Sequence, residues 1–348
     1  MSGFAIQSDS HWNRPGNGNF ELVRAKSLSG IEHMFRGPSP SGLRWTSNGN
    51  ALPIYGGQPR GGWIFDEVSL IQSTFVGPDG NHNLELVAVV GDSTTHASDS
   101  PDFRNLAHVY RESGTWKLGL GEFIPGSRGV RGNPAFVQGR AGGSASDFQV
   151  IVPDDHSGFR HFHRENAATP RAWVSNGTFL TELGRIDGLS MISSSYGHLE
   201  GVAVAGGKLI HFFRTDDGRW MQSSNGVIAS DVTGIPSMIE NRFVPPGGQH
   251  GDFEVVVPLK RGGVQHFLRQ NTDLITHNPM NWRVGKVFGA GLFPQRVALF
   301  QSDFITTGDP DRVGHLEVIV DDGRLLHFWR DTLPIVNWHG PSGAIPPG

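Results

Sequence analysis

The chain has 348 residues, 37% hydrophobic and 18% charged, with a net charge of −4. Such a composition can bury a core, excludes a disordered chain and leaves no electrostatic footprint for nucleic acid. The 48 glycines and 22 prolines among short apolar runs indicate many turns between many strands, and the absence of cysteine excludes disulfides and cysteine–zinc sites.

The first residues, MSGFAIQSDS, lack a charged and then apolar leader, and no apolar run approaches the roughly 20 residues of a membrane span. These features point to a cytoplasmic protein without membrane contact, with secretion by another route left open.

In chain order the sequence repeats itself six times. FAIQS (4–8), GNFELVR (18–24), HMFR (33–36) and Trp45 are followed by VSLIQS (68–73), HNLELVA (82–88), HVYR (108–111) and Trp116. PAFVQG (134–139), SDFQVIV (146–152), HFHR (161–164) and Trp173 come next, and then LSMISS (189–194), GHLEGVA (197–203), HFFR (211–214) and Trp220. PSMIEN (236–241), GDFEVVV (251–257), HFLR (266–269) and Trp282 make a fifth set; VALFQS (297–302), GHLEVIV (314–320), HFWR (327–330) and Trp338 a sixth. The repeated histidine recurs at steps of 75, 53, 50, 55 and 61 residues. Each unit thus holds four strand-length runs separated by turns, and helical periodicity is scarce. That period and content predict an all-β, single-domain β-propeller of four-stranded blades, six rather than seven. The units are approximately 1–50, 67–125, 134–182, 188–232, 236–290 and 296–345. The LIQS-like run would be the first and innermost strand, the tryptophan run the outermost. An alternative register has FAIQS closing the last blade as its outer strand. The wide first step comes from insertions at 51–66 and 91–104, which carry Trp63, Phe65 and Phe103 and could form a lid or a subunit contact.

The Glu-Val-Val run, the glycine turn, the HFWRD run and the following tryptophan together resemble the PLL-like β-propeller lectins over the whole chain. That family includes fucose-binding lectins, and the resemblance implies sugar pockets between neighbouring blades.

The candidate residues admit two readings. As a sugar pocket, Trp338 stacks on a pyranose face while Arg330, His327 and Glu317 bond its hydroxyls. Trp282, Trp220, Trp173, Trp116 and Trp45 would be the equivalents in other blades, and Trp329 is peculiar to the sixth unit. Alternatively, a residue kept in every unit is what a blade needs: histidine and arginine tie blades together, and the aromatics fill the space between them. The strand-two glutamate is Gln149 in the third unit, which argues against a shared catalytic acid.

What does not repeat suggests a rival function. At the end of the first strand stand Gln7, Gln72, Gln138, Ser193, Glu240 and Gln301, and two residues on stand Asp9, Thr74, Arg140, Ser195, Arg242 and Asp303. Glu240, Arg242 and Asp303, with Arg140, His11 and Trp12 beside them, could line an asymmetric funnel at the channel mouth. That would suit a cyclase or isomerase, Diels-Alderase-like, acting on an apolar small molecule. Solvated rim charges are the plainer reading. An interaction scaffold using the loop faces is a third function class. The sequence holds no HExxH, calcium loop, Walker loop, GxSxG or dinucleotide fingerprint, so no cofactor or metal is expected. The expected partner is a glycan or another small molecule; homo-oligomerisation stays open.

Overall fold

The computed structural model describes residues 3–9, 18–26, 30–37, 45–51, 63–92, 104–119, 123–139, 147–169, 171–242, 244, 250–271, 282–304, 314–330, 337–342 and 344–345. Each Val/Ile-rich run becomes the second strand of a four-stranded antiparallel sheet. Blade 1 is β1 (Ala5–Gln7), β2 (Phe20–Ala25), β3 (Ile31–Arg36) and β4 (Thr46–Asn50); blade 2 is β5 (Trp63–Val76), β6 (His82–Asp92), β7 (Asn105–Glu112) and β8 (Thr115–Leu118). Blade 3 is β9 (Ala135–Gln138), β10 (Phe148–Pro153), β11 (Phe159–Arg164) and β12 (Trp173–Phe179). Blade 4 is β13 (Ile186–Ser193), β14 (Leu199–Ala205), β15 (Lys208–Arg214) and β16 (Trp220–Ser230), and blade 5 is β17 (Ser237–Glu240), β18 (Phe253–Pro258), β19 (Val264–Arg269) and β20 (Trp282–Phe288). Blade 6 is β21 (Arg296–Gln301), β22 (Leu316–Asp321), β23 (Leu325–Arg330) and β24 (Trp338–His339), with β25 (Ala344–Ile345) also pairing with β23. The protein is an all-β, six-bladed β-propeller, and the described residues include no α-helix and no helix long and apolar enough to cross a membrane.

β1 pairs with β2, so FAIQS is the first strand of the first blade and not the outer strand of the last. Both faces of the second strands are covered, which is why they read as continuous Val/Ile runs rather than alternating ones: β10, β18 and β22 are buried at every position. The chain forms two compact units, Ser2–Ile186 with blades 1–3 and Asp187–Pro347 with blades 4–6.

Within each unit the core lies between blades. Val87, Val89 and Leu106 of blade 2 pack against Phe136, Phe148, Val150 and Phe162 of blade 3. Val202 and Val204 of blade 4 meet Val255, Val257 and Phe267 of blade 5, whose Val256 and Phe288 pack on Val318 and Phe328 of blade 6. The first strands are joined by serine. Ser69 Oγ accepts from the Phe136 N–H at 3.3 Å, Ser190 Oγ from Met238 at 3.1 Å and Ser237 Oγ from Leu299 at 2.9 Å.

Parts of the two insertions extend one hairpin: β5 and β6 stay paired out to Trp63 opposite Asp92. Trp63 packs on Phe65 and on Phe123, with ring centroids 5.2 Å apart in the second contact. Phe103 lies outside the described residues.

Candidate functional site

The repeated histidine is buried in every blade and faces the strand-two glutamate of its own blade, or Gln149 in blade 3. His33 Nε2 donates to Glu21 at 2.7 Å, His108 to Glu85 at 2.8 Å, His161 to Gln149 at 2.9 Å and His327 to Glu317 at 2.6 Å; His266 and Glu254 form the same pair. His211 Nε2 lies 2.9 Å from Glu200 Oε2, and burial holds its imidazole below its ordinary pKa. The other oxygen of the acid also has a partner. Ser8, Ser73 and Ser302 hydroxyls donate to Glu21, Glu85 and Glu317 at 3.1, 3.1 and 2.9 Å, and Asn241 donates to Glu254 at 3.1 Å. Burial pushes the Glu254 carboxyl up, but His266 and Arg330 outweigh it and hold it below the usual range.

Nδ1 of the histidine is met from strand four or, in blade 6, from the segment that follows it. Asn48, Asn176 and Ser342 contact the Nδ1 of His33, His161 and His327 at 3.2, 3.0 and 3.1 Å, and Ser223 meets His211. Blades 2 and 5 differ. Gly119 and Gly285 stand there, so close that a Cβ would come within 2.5 Å of His108 Nδ1 and 2.2 Å of His266 Nδ1.

The tryptophans pack across the blade boundary, edge-on to the preceding blade's histidine. Trp116 meets His33 at 5.4 Å, Trp173 meets His108 at 5.6 Å, Trp282 meets His211 at 5.6 Å and Trp338 meets His266 at 5.8 Å. Trp220 is buried against Phe212, and Trp45 is half-buried.

The repeated arginine is where the interfaces diverge. Arg330 reaches from blade 6 to Glu254 of blade 5, Nη2 to Oε1 3.2 Å, with both side chains buried. Arg164 of blade 3 has no carboxylate at ion-pair distance among the described residues. Its Nε donates to Asn166 at 2.7 Å, the Asn166 N–H donates to Asp147 at 3.1 Å, and the guanidinium lies 4.4 Å above the Phe148 ring. Nη1 is 3.4 Å from His108 Nδ1. This arginine is only 7% exposed, and burial lowers its pKa from the ordinary value.

Arg164 lines an open pocket of about 440 Å³ between blades 2 and 3, within the roughly 300–1,000 Å³ of small-ligand sites. Phe75 and Tyr110 supply aromatic surface, and Glu85, His108, Glu112 and Arg171 supply polar groups. Asn83 also lines it; its Oδ1 is buried and has no hydrogen-bond partner. Arg171 stacks over Phe75 at 5.3 Å. Gly119 also lines it, its backbone close against His108 where a Cβ would not fit.

The five residues grouped from the sixth unit do not converge on one pocket. His327 and Glu317 bond each other, whereas Arg330 and Trp338 belong to the interface with blade 5. Trp338 also stacks on Phe288 at 4.3 Å. Trp329 sits between His315 and His339, at 5.1 and 4.3 Å.

The first-strand ends form rungs between blades. Gln72, Gln138, Glu240 and Gln301 accept from the backbone N–H of Asp9, Thr74, Ser195 and Arg242 in the preceding blade, at 2.9, 2.7, 2.7 and 2.6 Å. Arg242 forms an ion pair with Asp303, and Glu240 accepts from the Ser195 hydroxyl, which also lies 2.6 Å from His250 Nδ1. Glu240 is thus the one acid among the described rungs. His11, Trp12 and Arg140 lie outside the described residues.

Sequence reasoning missed Asn83, Tyr110, Phe75 and the Asn166 anchor. One signal was available: Arg-x-Asn occurs at 164–166 and 269–271 and after no other repeat arginine.

No protein-family profile matches the chain, and no curated protein matches it in sequence. Solved structures do. AofleA from Arthrobotrys oligospora is 10% identical with a TM-score of 0.60, over 95% of this chain and 83% of that one. The intramolecular trans-sialidase of Ruminococcus gnavus, in complex with oseltamivir carboxylate, is 10% identical with a TM-score of 0.58, over 92% and 89%. The GH93 α-L-arabinofuranosidase of Fusarium graminearum, with arabinobiose, is 12% identical with a TM-score of 0.56, over 91% and 87%. At such identity the likeness is one of fold: a six-bladed propeller among propellers.

Proposed function

We propose that this protein binds carbohydrate in a lectin-like manner, with the pocket between blades 2 and 3 as a binding site and fucose-type or related pyranosides as ligands. The observation that carries the reading is Arg164. Burying a guanidinium without a carboxylate partner is costly unless something else uses its donors. Here Asn166 and Phe148 hold it still, and it faces a solvent-open pocket with aromatic surface and an unpartnered Asn83 acceptor. A pyranose has matching chemistry: an apolar face for Phe75 or Tyr110 and vicinal hydroxyls for Arg164, Asn83 and Glu112. The names of two structural neighbours, a trans-sialidase and an arabinofuranosidase, also concern glycans. A glycan array probed with the wild type and with Arg164→Met tests it. Binding is expected for the wild type and weakened in the variant; a blank array for the wild type refutes it.

The rival reading is an enzyme with one site at the rim, a cyclase or isomerase. Glu240 favours it, as the single acid in its set and a partner of Ser195 beside His250.

A further inference from the structure

We propose that the carbohydrate site recurs between blades 4 and 5 and is absent between blades 1 and 2 and between blades 5 and 6, so that each compact unit carries its own site. The proposal rests on the lectin-like reading and adds the number, place and difference of the sites.

The blades alternate. The residue opening the core of strand two is Phe20, Phe148 and Phe253 in blades 1, 3 and 5, and Leu84, Leu199 and Leu316 in blades 2, 4 and 6. In the odd blades the motif arginine stacks on that ring: Arg36 on Phe20 at 5.6 Å, Arg164 on Phe148 at 4.4 Å and Arg269 on Phe253 at 4.2 Å.

The 4–5 interface repeats the arginine side of the 2–3 pocket, whereas Ser223 caps His211 Nδ1 and His198 stands in the place of Asn83. Arg269, 3% exposed, donates from Nε to Asn271 at 3.0 Å, and the Asn271 N–H donates to Asp252 at 2.9 Å. Among the described residues it has no carboxylate at ion-pair distance. Its guanidinium lies 5.7 Å from the Trp282 ring, as that of Arg164 lies 5.6 Å from Trp173. Tyr196 occupies the place of Phe75, each packing edge-on against the next blade's phenylalanine, at 6.1 and 5.7 Å.

The other two interfaces lack the asparagine anchor and the strand-two phenylalanine, although Arg330 too lies 5.5 Å from the Trp338 ring. At 5–6, Glu254 takes up Arg330. At 1–2, Leu84 replaces the phenylalanine, and Arg111 Nε is buried without a partner because no Arg-x-Asn anchor follows it. Among the described residues, a guanidinium held by an asparagine, stacked on a strand-two phenylalanine and without a carboxylate at ion-pair distance is therefore confined to 2–3 and 4–5 among the four interfaces inside the two units.

The two sites are not identical. The Tyr196 hydroxyl donates to the Asn271 carbonyl at 3.2 Å, which leaves its lone pairs to accept from a ligand hydroxyl. Phe75 offers no such acceptor. Tyr196 thus adds an acceptor to the 4–5 site where Phe75 offers none, and both sites take a pyranose.

The test uses crystals of the full chain soaked in turn with selenomethyl glycosides of L-fucose, D-galactose and N-acetyl-D-glucosamine, with selenium located by anomalous scattering. Selenium is expected at 2–3 and 4–5 and absent at 1–2 and 5–6. Asn271→Ala should cut the 4–5 peak more than tenfold and leave 2–3 unchanged. A peak at 2–3 alone, or any peak at 1–2 or 5–6, overturns the proposal while leaving the lectin-like reading intact. No peak with any of the three sugars overturns both.

Discussion

Two arginines with the same place in the repeat should respond oppositely to the same substitution. Arg330→Met removes a 3.2 Å partner from the buried Glu254. Breaking such a pair costs roughly 3–5 kcal/mol, and because Glu254 keeps His266 and Asn241, about 3 kcal/mol is expected. Arg164→Met removes a hydrogen bond to a neutral amide and a stacking contact with Phe148. Those contribute about 1 kcal/mol each, and removing a buried charge that has no carboxylate at ion-pair distance offsets part of the loss, so the net cost is about 1 kcal/mol. In urea the difference of about 2 kcal/mol separates the two midpoints by roughly 1 M. Sugar binding at the 2–3 pocket should run the other way, lost in Arg164→Met and kept in Arg330→Met. Equal destabilisation by the two substitutions, or unchanged binding by Arg164→Met, would refute the division between a ligand-facing and a blade-joining arginine.

Gly119→Ala places a methyl within 2.5 Å of His108 Nδ1; such overpacking costs about 1–3 kcal/mol, and the variant should both melt earlier and, by titration calorimetry, lose at least tenfold in affinity at the 2–3 site while the 4–5 site keeps its own. Burial holds His211 below its ordinary pKa, so below about pH 6.5 the unfolded chain binds a proton that the folded chain does not. Its stabilising contribution is full above that pH and falls by up to about 1.4 kcal/mol per unit as pH drops. Melting curves at pH 7.5 and 5.5 should therefore show a steeper acid loss for wild type than for His211→Gln, and parallel losses would contradict this. Glu240→Gln restores the residue that the other described rungs use, so stability should change by less than about 1 kcal/mol and sugar binding at 2–3 should not change. If the rival enzyme reading holds, the same variant abolishes turnover.

The fold was legible because a propeller is built from a repeated local unit. GDFEVVV and HFLR each state strand length, burial on both faces and the turn between, and six copies state the blade count. The site was less legible because repetition masks roles. His327, Glu317, Arg330 and Trp338 read as one cluster, yet the histidine and glutamate bond within the blade while the arginine and tryptophan face blade 5. Alternation of side chains along a strand tells that residues face opposite sides; it does not tell which neighbour waits there.

Glu240 shows the same limit. Its charge singled it out in the alignment of units, but its role in a rung to Ser195 depends on the approach of two first strands.

By itself the sequence determined the four-stranded unit, its sixfold recurrence and the burial of the second strands, since each depends on residues close in the chain. Only the tertiary structure decided which arginines are used up and which are left to face an open pocket. Arg164 and Arg330 stand in the same motif, but Arg330 meets Glu254, 76 residues away in blade 5, whereas Arg164 meets no carboxylate among the described residues across its boundary and lines the open pocket. Electrostatic and stacking energies depend on distances across the blade boundary, and those distances exist only once the blades are packed.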